Sequence, residues 1–139
     1  MSLYLDSSVA LRALLAEKAR LETWGRWERA FASELLGLEV RRAIDRLRIL
    51  GHLDQRATAA LLQHTATIED AISIVPLTRT ILRRAALPMA TPVRTLDAIH
   101  IATALVMRER SDLPLTFATH DVRQADAASA LGFSTIGAD

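Results

Sequence analysis

Leu3-Tyr4-Leu5-Asp6-Ser7-Ser8 decides how the rest of the chain is read. Leu3 to Leu5 is a short apolar and aromatic run, the pattern of a strand. Asp6 ends it, and Ser7-Ser8 are residue types that cap a helix, here predicted to run to about Lys18. The same alternation continues along the chain. Leu21 to Phe31 is predicted as a short helix. Glu34 to Leu50 is a strong helix stopped by Gly51, and Asp54 caps another from about Gln55 to Glu69. Ile72-Ser73-Ile74-Val75 is a β-branched strand closed by Pro76. Thr78 starts a helix to about Ala86, the two prolines within Leu87 to Arg94 demand a loop, and Thr95 opens a helix to about Arg110. Leu115 to Ala118 is a strand, Asp121 to Leu131 a helix ended by Gly132, and Phe133 to Ile136 a last short strand. Strands alternating with helices predict an α/β fold: a short parallel sheet with helices on both faces.

Composition sets the bounds. A chain of 139 residues, half of them hydrophobic and 24% charged, is expected to form one domain over 1–139 with a sizeable core. With no cysteine, disulfides, thiol catalysis and thiolate metal sites are excluded. The net charge of +1 does not advertise a nucleic-acid partner. Lys18 is the one lysine among the 17 basic residues, an arginine bias that GC-rich coding explains as well as phosphate binding does. No stretch approaches the ~18 apolar residues of a membrane span, and Asp6 interrupts any signal-like start. A soluble cytoplasmic protein without membrane contact is the expectation.

Chemistry in such sheets gathers at the carboxyl ends of the strands. Asp6 and Asp121 both fall there. Glu39 lies on the shoulder of the apolar stripe formed by Leu36, Val40, Ala43, Leu47 and Leu50, partly desolvated and in need of a partner. A surface ion pair with Arg42 is one reading of it; an acid turned toward a site is the other. Asp97 sits in the first turn of a helix that is apolar nearly all round. A charge favoured by the helix dipole and a metal ligand are both readings. His100, three residues on, could hydrogen-bond Asp97 or be a satisfied core histidine, the latter preferred, and Asp121 reads as an ordinary N-cap. Taken together the acids say more than singly. Four carboxylates in close company need raised pKa values or bound cations. Oxygen-only donors favour Mg²⁺ or Mn²⁺ over Zn²⁺, and such ions serve phosphodiester hydrolysis.

The strand ending in Asp6-Ser7-Ser8, the helix carrying Ser33-Glu34-Leu35 and Glu39, the run Leu96-Asp97-Ala98-Ile99-His100-Ile101-Ala102-Thr103-Ala104, and Thr119-His120-Asp121 followed by Ala127-Ala128 and Gly132 resemble the PIN-domain family. Within it they look most like the VapC toxins of bacterial type II toxin–antitoxin pairs, over essentially the whole chain. The resemblance implies a Rossmann-like fold and a Mg²⁺- or Mn²⁺-dependent endoribonuclease acting on tRNA or ribosomal RNA. It implies a VapB-type antitoxin that obstructs the site, and a homodimer. Residue by residue, Asp6 and Asp97 resemble the principal metal ligands, and Glu39 and Asp121 the acids completing the pocket. Thr119 resembles the hydroxyl residue that often precedes the fourth acid.

Arg12, Arg123, Arg41, Arg42 and Arg46 are candidates for a basic rim around such a pocket. Trp24 and Trp27 could stack on bases, pack in the core or line a partner groove. Phospho-receiver and haloacid-dehalogenase-like proteins also place Asp at a strand end. Both rely on a lysine beyond the central strands, whereas Lys18 falls in the first predicted helix, and the phosphatase Asp-x-Asp pattern is absent. The competing functional readings are a catalytically silent PIN-like module that binds RNA or protein, and an interaction protein whose acids are only helix caps.

Overall fold

The computed structural model describes residues 1–15 and 20–138. Its elements, in order, are β1 (Ser2–Leu5), α1 (Ser7–Leu14), β2 (Arg29–Ser33), α2 (Leu35–Ile49), α3 (Gln55–Ala71), β3 (Ser73–Val75), α4 (Arg79–Ala85), α5 (Thr95–Ser111), β4 (Leu115–Ala118), α6 (Val122–Ala130) and β5 (Ser134–Ile136). The strands lie in the order β3-β2-β1-β4-β5, every neighbouring pair parallel. The chain leaves β1 toward β2 on one side and later returns to β4 on the other. The order therefore reverses between β1 and β4, where an open parallel sheet leaves a crevice at its carboxyl ends. Leu5 registers with Ala118 across that boundary, and the Asp6 amide donates to the Ala118 carbonyl at 3.0 Å.

Alternation along each strand divides the core between the two faces. Leu3, Leu5, Ala30 and Ala32 pack with Val9 and Ala10 of α1 and with Leu36, Val40 and Ile44 of α2, while Leu61 of α3 covers their edge. Tyr4, Phe31 and Phe117 point the other way, onto Ile101, Ala104 and Leu105 of α5 and Ala127 and Ala128 of α6. Ile81 of α4 joins Ile99, Ala102 and Val106 on the outer side of α5. Helix α5 is thus packed on the sheet, α4 and α6, which explains why its sequence is apolar nearly all round.

The short helix predicted over Leu21–Phe31 is not formed. A turn at 22–25, with Gly25 at φ +79°, leads into strand β2. Ala30-Phe31-Ala32 carries good helix formers, but the strand state places two small side chains under α2 and one aromatic ring under α5. Pairing of β2 between β1 and β3 outweighs local propensity. Trp24 and Trp27 accordingly do not share a helix; their rings meet edge to face at 5.1 Å and pack against the α1–α2 side of the core. The first helix, predicted to about Lys18, is described as far as Leu14; Lys18 lies outside the described residues. The other predicted elements stand within a residue or two of their expected bounds. Among the described residues no helix is long and apolar enough to cross a membrane.

Candidate active site

The crevice at the β1/β4 boundary receives an acid from each of four places. Asp6 follows β1 and is the N-cap of α1, Glu39 is one turn into α2, Asp97 is in the first turn of α5, and Asp121 is the N-cap of α6. All four line one cleft of about 250 Å³, together with Ser7, Ser8, Leu11 and Val40. The four acids singled out in the sequence are therefore brought together.

Their hydrogen bonding follows a common rule. Asp6 Oδ2 accepts from the Ser8 amide at 3.1 Å, the Ser8 hydroxyl at 2.5 Å and the Thr119 hydroxyl at 3.3 Å. Its Oδ1 accepts none from the described residues; the nearest basic atom is His100 Nε2 at 3.7 Å. Glu39 Oε1 accepts from Ser7 Oγ at 2.8 Å and lies 2.5 Å from His100 Nε2, while Oε2 accepts no hydrogen bond from the described residues. Asp121 Oδ1 caps α6 by accepting from the Arg123 and Gln124 amides, and Oδ2 accepts no hydrogen bond from the described residues. Asp97 accepts no hydrogen bond from any described residue. Each tethered acid spends one oxygen on the scaffold and keeps the other for the cleft.

Thr119, expected to support the site, lies in hydrogen-bond contact with two of the acids. Its oxygen accepts from the Asp121 amide at 3.0 Å, and its single hydroxyl proton is shared between Gln124 Oε1 and Asp6 Oδ2, which lie 2.7 and 3.3 Å from Oγ1. Sequence reasoning missed Gln124, which is fully buried on the alanine-rich inner face of α6. A lone amide on such a face is the signal that was there to be read. From sequence, His100 reads chiefly as a core histidine, and Ser7 and Ser8 as caps. His100 is indeed fully buried and satisfied, but its partners are Tyr4 Oη at 2.8 Å, Ser7 Oγ at 3.2 Å and Glu39. The ion pair considered between Glu39 and Arg42 does not form; Arg42 and Arg48 both pair with Asp45 on the outer face of α2.

The cleft is electrostatically loaded. Burial raises the Asp97 pKa, the charges on Asp6 and Asp121 raise it further, and His100 only partly offsets them. For His100, burial works against the charged ring, but the Glu39 hydrogen bond and the Asp6 charge outweigh it and the pKa rises. Burial, then the Asp6 charge, holds the Tyr4 phenol well above its usual range, so it stays neutral. Among the described residues no three Asp, Glu or His side chains converge closely enough to enclose an ion. The donor set is nonetheless hard oxygen with bare atoms on each acid. That suits a cation held by one or two carboxylates with water completing its shell, as Mg²⁺ prefers.

A second groove of about 510 Å³ adjoins the cleft, sharing Asp97 and Asp121 and adding Pro92, Val93, Arg94, Val122 and Arg123. Of the rim candidates, Arg123 stands on it and Arg94 joins it. Arg41 is instead engaged by Glu69 at 2.5 Å, and Arg42 by Asp45.

The comparisons with known proteins agree with this architecture. No curated protein matches the chain. A solved structure described as a toxin-antitoxin complex from Klebsiella pneumoniae is similar in fold, with a TM-score of 0.65 and 17% sequence identity over 88% of this chain and 89% of that one. The family model for the PIN domain matches residues 3–130, which include the four acids and the strands that carry Asp6 and Thr119, and the chain belongs to the PIN domain family.

Proposed function

We propose that the chain is a divalent-metal-dependent endoribonuclease, the toxin of a VapBC-type toxin–antitoxin pair, built as one domain over 1–139. The observation that carries the nuclease reading is the arrangement of the acids: among the described residues, one oxygen of Asp6, Glu39 and Asp121 is fixed, the other accepts no hydrogen bond, and Asp97 beside them accepts none. Burial first, then the charges of Asp6 and Asp121, raise the pKa of Asp97, and a shared cation would relieve that repulsion.

Asp6 and Asp97 would hold Mg²⁺ or Mn²⁺, with Glu39 and Asp121 completing the pocket directly or through water. A divalent cation there would supply Lewis-acid polarisation of a phosphoryl oxygen and a bound water of lowered pKa. The protein's own part is placement. Ser8 and Thr119 fix the Asp6 carboxylate, and Ser7 and His100 fix that of Glu39. Arg94 and Arg123 flank the adjoining groove, where a phosphate strand would pass. The toxin reading is supported by the fold likeness to a protein solved as a toxin–antitoxin complex. An RNA substrate, a VapB-type antitoxin, a homodimer and a cytoplasmic location follow from the family resemblance.

The test is cleavage of labelled total tRNA and ribosomal RNA in Mn²⁺, Mg²⁺ or EDTA, with Asp97→Asn prepared in parallel. Discrete cleavage that requires metal and is lost in the variant is expected. A folded variant that cleaves as well as the parent overturns the assignment. No cleavage, together with no effect of metal on melting, favours the catalytically silent binding module.

A further inference from the structure

Glu39 is a long, flexible side chain on α2 that must present a carboxylate to a cleft built mainly by other elements. Nothing on α2 holds it. Its tethers come from across the sheet edge, Ser7 at the start of α1 and His100 on α5, and both act on the same oxygen. Counting protons fixes the direction of each bond. An ionised carboxylate only accepts, so His100 Nε2 carries the hydrogen facing Glu39, and Ser7 spends its single proton on the same Oε1. In the neutral ring Nδ1 is then an acceptor, and Tyr4 Oη donates to it at 2.8 Å. The Tyr4 oxygen in turn accepts the Ser33 amide at 3.2 Å. If the ring is charged, only the Tyr4 link changes direction, and the Nε2–H still meets Glu39.

We propose that His100 is a positioning residue for Glu39, a role that rests on the nuclease reading given above. The ring bridges the rigid centre of the sheet, at Tyr4 and Ser33, to the Oε1 of an acid on another helix, leaving Oε2 for the cleft. Because His100 stands one turn after Asp97 on α5, that single helix sets both the Asp97 carboxylate and the orientation of Glu39. Two of the four acids are thereby registered to one rigid body.

Two amide substitutions separate this role from simple core support. In His100→Gln the amide nitrogen falls near the former Nε2 and keeps the donor to Glu39, losing Tyr4. In His100→Asn the amide lies near the former Nδ1, keeping Tyr4 and losing Glu39. Melting temperature, Mn²⁺ affinity by electron paramagnetic resonance, and kcat and KM on RNA would be measured for both. Asn is expected to lower kcat by about 10²-fold, the scale of a misplacement near 1 Å, with KM little changed and weakened Mn²⁺ binding. Gln should retain most of both, although the two variants melt alike. Losses that follow melting temperature, or a fully active Asn variant, overturn the proposal. If the parent protein cleaves nothing, NMR decides the positioning claim, and if metal also leaves its melting unchanged the nuclease reading fails. A slowly exchanging His100 Nε2–H signal that shifts in Glu39→Gln upholds the contact, and a signal indifferent to Glu39→Gln overturns it.

Discussion

Tyr4→Phe removes one oxygen from the centre of the molecule, and the structure says what that oxygen does. It accepts the Ser33 amide and shares a hydrogen bond with His100 Nδ1, both partners fully buried, at 3.2 and 2.8 Å. The ring itself would stay, keeping its stack on Phe117 at 5.1 Å, so little cavity opens. The loss is therefore two orphaned buried polar groups, each costing about 1–3 kcal/mol. Because a small shift can partly relieve one of them, the expected total is roughly 2–4 kcal/mol. That is a large part of the ~5–15 kcal/mol of a typical domain. At about 3–5 °C per kcal/mol for this size, melting should fall by roughly 10 °C. Urea unfolding followed by the fluorescence of Trp24 and Trp27 provides the assay. The midpoint should drop with the slope unchanged. In Tyr4→Phe/His100→Leu both partners become apolar, so the double variant should lose less than the two single losses added together. A Tyr4→Phe penalty below about 0.5 kcal/mol, or strict additivity, would refute the reasoning.

Asp97→Asn should make the metal-free protein more stable at neutral pH. Its carboxyl pKa is raised in the fold by burial first, then by Asp6 and Asp121, so its stability is full at low pH and declines as pH rises through the folded value. Melting curves in EDTA should show that decline in the parent and less of it in the variant; parallel curves would count against the electrostatic account. Mn²⁺ or Mg²⁺ at about 100 times Kd should stabilise the parent by about 2.7 kcal/mol and leave Asp97→Asn nearly unmoved, as differential scanning calorimetry would report. Gly137→Ala should cost at least about 2 kcal/mol. Its φ is +97°, and a Cβ there would stand 2.7 Å from the Thr119 carbonyl, a backbone atom that cannot step aside cheaply. Urea unfolding of that variant tests the cost, and weaker Mn²⁺ binding would report displacement of Thr119 from Asp6.

Much of this was legible in the chain. The period-3.6 stripe of α2, the apolar α5 and the strand runs before Asp6 and Thr119 state the α/β alternation in local terms. Asp6, Asp97 and Asp121 stand out because they sit where strands end or helices begin, positions that sequence pattern can locate. Strand β2 was not legible, since Ala30 and Ala32 are weak strand formers on either side of Phe31, and the run becomes a strand by filling the place between β1 and β3. Nor could the chain show that Arg42 turns to Asp45 rather than Glu39, because the two acids lie at equal distance in sequence on opposite sides of it. Which oxygen of each acid is tethered, the Tyr4–His100–Glu39 bridge and the buried Gln124 behind Thr119 all join residues distant in sequence or set by rotamer. Periodicity fixes what each element buries. Only the apposition of elements in three dimensions decides which polar atoms face each other at hydrogen-bonding distance, and there the chemistry of the cleft is set.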